Sequence, residues 1–152
     1  MIESGTLESV VLQVTQEDMY EHVLNDAVLG SSIYINIALA GLSLLFFMFL
    51  ARNVSDPRSQ LIIVSAMAVS AVSAASYSGL ASGLTISVLE MPEGHAMAGQ
   101  VTELAGQDQT VDGTISLWGR YLTWAFSTPF ILLALGLIAG SNISKIFTAI
   151  IF

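Results

Sequence analysis

An all-α membrane protein is the fold class that the sequence predicts, on three observations. Of 152 residues, 54% are hydrophobic and 11% charged, at a mean hydropathy of +0.74, which leaves too little polar surface to coat a water-soluble domain. Three apolar stretches follow one another, at residues 28–51, 61–89 and 115–140, and each reaches the roughly 20 helical residues needed to cross a hydrocarbon core. The polar residues gather between them, and SSIYINIALAGLSLLFFMFLA in the first stretch carries no charge.

Composition narrows the function classes. A net charge of -8 and a pI near 4.3 oppose nucleic-acid binding, which needs basic patches, and suit a strongly hydrated exterior and a high-salt habitat. There is no cysteine, and His22 and His95 lie outside the apolar runs. Disulfides and thiolate metal sites are excluded, and no metal centre is expected. The opening MIESGTLES is acidic and lacks the basic start of a secretory signal.

Taken in order, residues 1–27 form an external segment in which Leu7, Val10, Val11 and Val14 recur at helical spacing. This predicts a short amphipathic helix within Leu7 to Leu24 that caps the outer surface. The first span covers residues 28–51. In the loop RNVSDPRSQ, residues 52–60, Pro57 stops the first helix from running into the second and forces an antiparallel hairpin. The second span is placed at 61–89. Residues 90–114, rich in Gly and polar side chains, read as an external lid or flexible loop. The third span follows at 115–140, then a short loop at 141–145 and the start of a fourth helix at 146–152.

Small residues let helix backbones approach where lipid gives no hydrophobic drive. Ala75, Gly79 and Gly83 form one such ridge, and Gly136 and Gly140 another. The Asn53-Val54-Ser55 and Asn142-Ile143-Ser144 triplets match the glycosylation pattern by chance, since both fall on the side assigned to the cytoplasm. That side follows from the basic flanks: Arg52 and Arg58 lie in the first loop and Lys145 after the third span. Acidic residues crowd the opposite side, with Glu17, Asp18, Glu21 and Asp26 before the first span and Glu90, Glu93, Glu103, Asp108 and Asp112 before the third. The N-terminus is therefore expected outside the cell, in a multi-pass plasma-membrane protein whose first partner is the lipid bilayer.

The chemistry concentrates in WGRYLTWAFSTPF, Trp118 to Phe130. On a helix Arg120, Thr123 and Ser127 fall at i, i+3 and i+7, so one guanidinium and two hydroxyls share a face flanked by Trp124. Pro129 cannot donate to the carbonyl of Ala125, which predicts a kink or loosened backbone there. Structural roles compete: Arg120 snorkelling to the interface, Ser and Thr bonding their own helix, Trp118 and Tyr121 anchoring at the headgroups. A donor stripe with no carboxylate suits an anion, whereas proton transport calls for a titratable acid.

WGRYLTWAFSTPFILLALGLIAG resembles the third helix of microbial rhodopsins, specifically the halorhodopsins, which are retinal-based inward chloride pumps. ASYSGLASGLTISVLEMPEGH in the second span and YINIALAGLS in the first resemble the same family, and the similarity runs from about Val23 to Phe152. The resemblance implies the first three helices and the start of the fourth of a seven-helix bundle. It places Arg120 near the external side of the retinal site and Thr123 where proton pumps carry the aspartate that accepts the Schiff-base proton. Trp124 would pack on the retinal polyene, with Thr128, Pro129 and Ile131 as pocket neighbours. Ser127 would help hold chloride, Ala134 stands where proton pumps place an acidic donor, and Ser73 and Ser76 would lie near the anion or its waters. The implied ligands are all-trans retinal and chloride, and the implied assembly is a homotrimer acting as a transporter and not an enzyme. The family's retinal-bearing lysine belongs to the seventh helix. The chain's single lysine, Lys145, sits at a loop edge, so the sequence reads as an N-terminal fragment. Two alternatives stay open: a photosensor, which typically keeps an aspartate at the position of Thr123, and a three-span membrane scaffold without retinal.

Overall fold

The computed structural model describes residues 14–108 and 110–151. Helix α1, Gln16–Asn25, starts at a reciprocal cap: the Asp18 N–H donates to the Thr15 hydroxyl at 3.2 Å, and the Thr15 N–H donates to the Asp18 carboxylate at 2.7 Å. Glu17 and Asp18 in the first turn suit the positive end of the helix dipole. Of the expected amphipathic helix, Leu7, Val10 and Val11 lie outside the described residues. The observed helix is the later part, and it turns Met19, His22 and Val23 inward.

Asp26 ends α1 and caps α2, Ala27–Ala51, by accepting from Val28 N–H at 3.0 Å and Leu29 N–H at 2.9 Å. Such a cap contributes about 1 kcal/mol. Helix α3, Pro57–Ala81, begins four residues before the expected second span, because Asp56 caps it through Ser59 N–H at 2.8 Å and Pro57 presets the helical φ of its first position. It also ends well before the expected residue 89, and this is a correction. Ser82 closes the last turn, Gly83 takes φ +73, and β1, Ser87–Leu89, is a strand. An apolar run does not say by itself whether it is helix or strand.

Strand β2, Val101–Glu103, pairs antiparallel with β3, Thr110–Asp112, so the 90–114 connection holds an ordered hairpin. Strand β4, Thr114–Ser116, pairs antiparallel with β1. This delays the third helix, α4, to Gly119–Ile138 in place of 115–140. Gly140, at φ +79, stops α4: Ser141 N–H returns to Gly136 O at 3.0 Å and Gly140 N–H to Leu137 O at 3.1 Å. That is a left-handed helix stop, for which glycine pays no Cβ penalty. Helix α5, Ile143–Ile151, starts three residues before the expected 146.

Helix α3 lies between α2 and α4, and α5 packs on α4. Helices α2, α3 and α4 are each long and apolar enough to cross a membrane. The expected Ala75, Gly79 and Gly83 ridge is corrected at its last member. A Cβ on Gly83 would come within 2.7 Å of the Gln16 carbonyl and the Tyr20 amide, so this glycine admits α1 and lies beyond the helix. The main apolar core sits at this same end of the spans and joins Met19 and Val23 to Ile33, Leu80, Leu104 and Val111.

Candidate functional site

The start of α4 has no side-chain cap, and its Gly119 N–H donates to the Thr85 carbonyl at 3.2 Å. The segment after α3 thereby fixes where the third span begins. Four residues on, the Thr123 hydroxyl donates to Gly119 O at 3.2 Å, so the first turn is held from both sides.

Burial sorts the residues of this helix. Thr123 is 8% exposed and Ser127 5%, whereas Trp124 is 61% exposed and Ile131 42%. Thr123 and Ser127 differ by about 40° around the axis and Arg120 by about 20° from Ser127, so the three follow one stripe. They differ in depth: the hydroxyls are covered, and Arg120 is exposed about one turn before Thr123 and two before Ser127, toward the start of α4. Arg120, Tyr121 and Trp124 line a cleft of about 530 Å³ with Leu89, Met91 and Leu117. The Tyr121 and Trp124 rings meet edge to face at 6.3 Å, a favourable quadrupole arrangement.

The remaining expected residues are distributed unevenly. Thr128 is exposed and Pro129 and Ala134 are half-buried on α4. Ser73 and Ser76 are half-buried on α3, and the Ser73 hydroxyl donates to Val69 O of its own helix at 2.9 Å. Among the described residues no hydrogen bond joins either serine to Thr123 or Ser127. Lys145 lies exposed in the first turn of α5.

Three sets of contacts escaped the sequence reading. His22 Nδ1 accepts the Ala105 N–H at 2.9 Å, tying α1 to the loop after β2. The spacing of Met19, His22 and Val23 on one helical face was the available signal. Beside it, Gln107 Nε2 donates to Asp18 at 3.2 Å and Glu21 at 3.1 Å. The backbone N–H and hydroxyl of Thr15 hold the Asp18 carboxyl below the ordinary aspartate range. Asp56 is held low in the same way by the N–H and hydroxyl of Ser59. The third missed contact is a cross-helix one, made by Arg58.

A family described as bacteriorhodopsin-like protein matches residues 27–152, which takes in all three spans and α5. The chain belongs to the bacteriorhodopsin-like family. It is 62% identical to the halorhodopsin of Natronomonas pharaonis over 97% of this chain and 50% of that protein. It is 54% identical to the halorhodopsin of Halobacterium sp. (strain SG1) over 93% of this chain and 46% of that protein. The chain thus spans about half the length of the curated relatives it matches. Among solved structures, one described as halorhodopsin, a light-driven chloride pump, superposes with TM-score 0.66 at 46% identity, over 81% of this chain and 46% of that one. A bromide-bound form of halorhodopsin from Halobacterium salinarum gives 0.68 at 44% identity, over 83% and 47%. The likeness to halorhodopsins carried by the third-span motif is therefore shown for this part of the bacteriorhodopsin-like bundle.

Proposed function

We propose that these residues supply the N-terminal half of a retinal-dependent, light-driven inward chloride pump. The observation that carries this reading is the buried pair Thr123 and Ser127 on a helix, GRYLTWAFSTPFILLALGLI, with no carboxylate anywhere along it. A threonine hydroxyl does not accept a proton at neutral pH, so a positive charge held beside it keeps its proton and calls for a mobile anion. Burying bare chloride costs many kcal/mol, and hydroxyl donors offset part of that cost. Thr123 has a donor already in use toward Gly119 O at 3.2 Å, a neutral bond that an anion can replace with a stronger charge-assisted one.

The residues present fit retinal as a bound group. Trp124 and Ile131 give α4 an exposed apolar face beside the hydroxyl stripe, suited to a polyene. Retinal, when bound, would supply light absorption and a positive charge beside the hydroxyl stripe. Fifteen residues of α4 separate Thr123 from Ile138, about 22 Å of helix, so Lys145 beyond them is not the attachment point, which belongs to a later helix. Arg120, exposed at the outer end of the stripe, receives the incoming anion. The positive-flank rule supports a plasma-membrane orientation with the N-terminus outside, and the family resemblance supports a homotrimer.

The test is the visible absorption of the full-length, retinal-loaded protein during a chloride titration. The maximum is expected to shift and saturate as chloride fills the site beside Thr123. A maximum indifferent to halide would remove the anion from the retinal site and the proposal with it.

A further inference from the structure

The end of α4 away from Arg120 carries a contact that its helix stop does not need. The turn at Gly140 already gives the Leu137 carbonyl a partner, Gly140 N–H at 3.1 Å. Even so, Arg58 Nε donates to Leu137 O at 3.0 Å and Arg58 Nη2 donates to it at 2.7 Å, with a further bond from Nη2 to Ser141 O at 3.3 Å. These bonds join residues 79 and 83 positions apart. They are cross-links between α3 and α4, made by a cation where the partial negative charge of a helix dipole accumulates.

The two ends of this cross-link differ in firmness. Arg58 stands on a fixed base: Asp56 accepts from both the N–H and the hydroxyl of Ser59 at 2.8 Å, and Gln60 Nε2 donates to Val54 O at 2.7 Å. The α4 side holds Pro129, which leaves the Ala125 carbonyl without its helical donor and loosens the turn around Ser127. The turns beyond Pro129 therefore have a natural pivot at one end and Arg58 at the other. Leu137 is 3% exposed while Arg58 remains exposed, so the bond is reachable by water and reversible. Buried Ser127 lies about 15 Å from Leu137 along the helix.

We propose that Arg58 is a positioning residue: it latches the inner end of α4 to α3, and an anion leaving Ser127 passes that end only when the latch on the Leu137 carbonyl loosens. The inference rests on the chloride-pump reading for what passes, and on the Arg58 contacts alone for the latch.

Arg58→Gln and Arg58→Lys test it in the full-length, retinal-loaded protein in lipid. With the charge-assisted bonds gone, amides from residue 137 to 141 in Arg58→Gln are expected to exchange hydrogen about tenfold faster than in the wild type. The flash-induced absorption step that reports chloride release is expected to accelerate by a similar factor. Arg58→Lys, which keeps the charge but not the fork geometry, falls between and carries the same test if the glutamine variant does not accumulate. Wild-type exchange and release rates in these variants, even with a lowered melting temperature, would reduce Arg58 to a structural contact and overturn the latch. A wild-type protein that moves no chloride in light defeats the pump reading instead. The exchange measurement needs no transport and judges the latch separately.

Discussion

The cap and the spans of this molecule solve the same problem of polar groups in opposite ways. The cap, made of α1 and the strands between α3 and α4, is cross-linked by side chains far apart in sequence: His22 to Ala105, Gln107 to Asp18 and Glu21, and Gln16 to the Ser82 carbonyl at 3.1 Å. In the spans, Ser65, Ser70, Ser73 and Thr123 each donate to a carbonyl one turn back in their own helix. Water competes for every polar bond in the cap, so it depends on the Met19, Val23, Leu104 and Val111 core to hold its partners together. In lipid no water competes, and a hydroxyl satisfied by its own helix is stable without a neighbour. The lesson is that a span hydroxyl is satisfied locally by its own helix, whereas a cap side chain is committed to partners that only the fold brings near.

The contrast is broken most strongly at the cap core. Met19→Ala empties a site that is 2% exposed, and is expected to cost about 2–5 kcal/mol of cap stability. Limited proteolysis within residues 90–114 should then quicken while the helical circular dichroism of the spans persists. If spans and cap unfold together, the two regions are one cooperative unit.

A smaller change is expected at Thr123→Asp, which replaces the hydroxyl donor by a carboxylate. Chloride affinity should fall by tenfold or more, equivalent to about 1.5–3 kcal/mol, as a fixed anion occupies the place of the mobile one. Absorption in a chloride titration of the loaded full-length protein measures this. An unchanged midpoint would contradict the role given to Thr123.

The smallest effect concerns acid. Asp18 has a folded-state pKa below its unfolded value, so its contribution is present above the ordinary aspartate range and is lost as pH falls through the depressed value. The Thr15 and Gln107 bonds weaken together, and α1 is expected to fray at its first turn while the spans remain intact. Hydrogen exchange at residues 18–20 follows this directly. Asp18→Asn should show the frayed behaviour already at neutral pH.

The sequence by itself determined the three spans, their antiparallel order and the stripe of Arg120, Thr123 and Ser127. Bilayer thickness and helical periodicity are local demands that composition and spacing answer directly. The caps at Asp26 and Asp56 went unread: Asp26 counted only as an external acidic residue, and residues 52–60 were read as a loop, which misplaced the start of α3. Only the tertiary structure decided that Ser87–Leu89 and Thr114–Ser116 pair as strands, which shortens the second and third spans. It also decided that His22 meets Ala105, 83 residues away, and that Arg58 meets Leu137, 79 residues away. Each of these depends on a partner that the chain brings close only after it has folded, and no pattern within one segment encodes that distance.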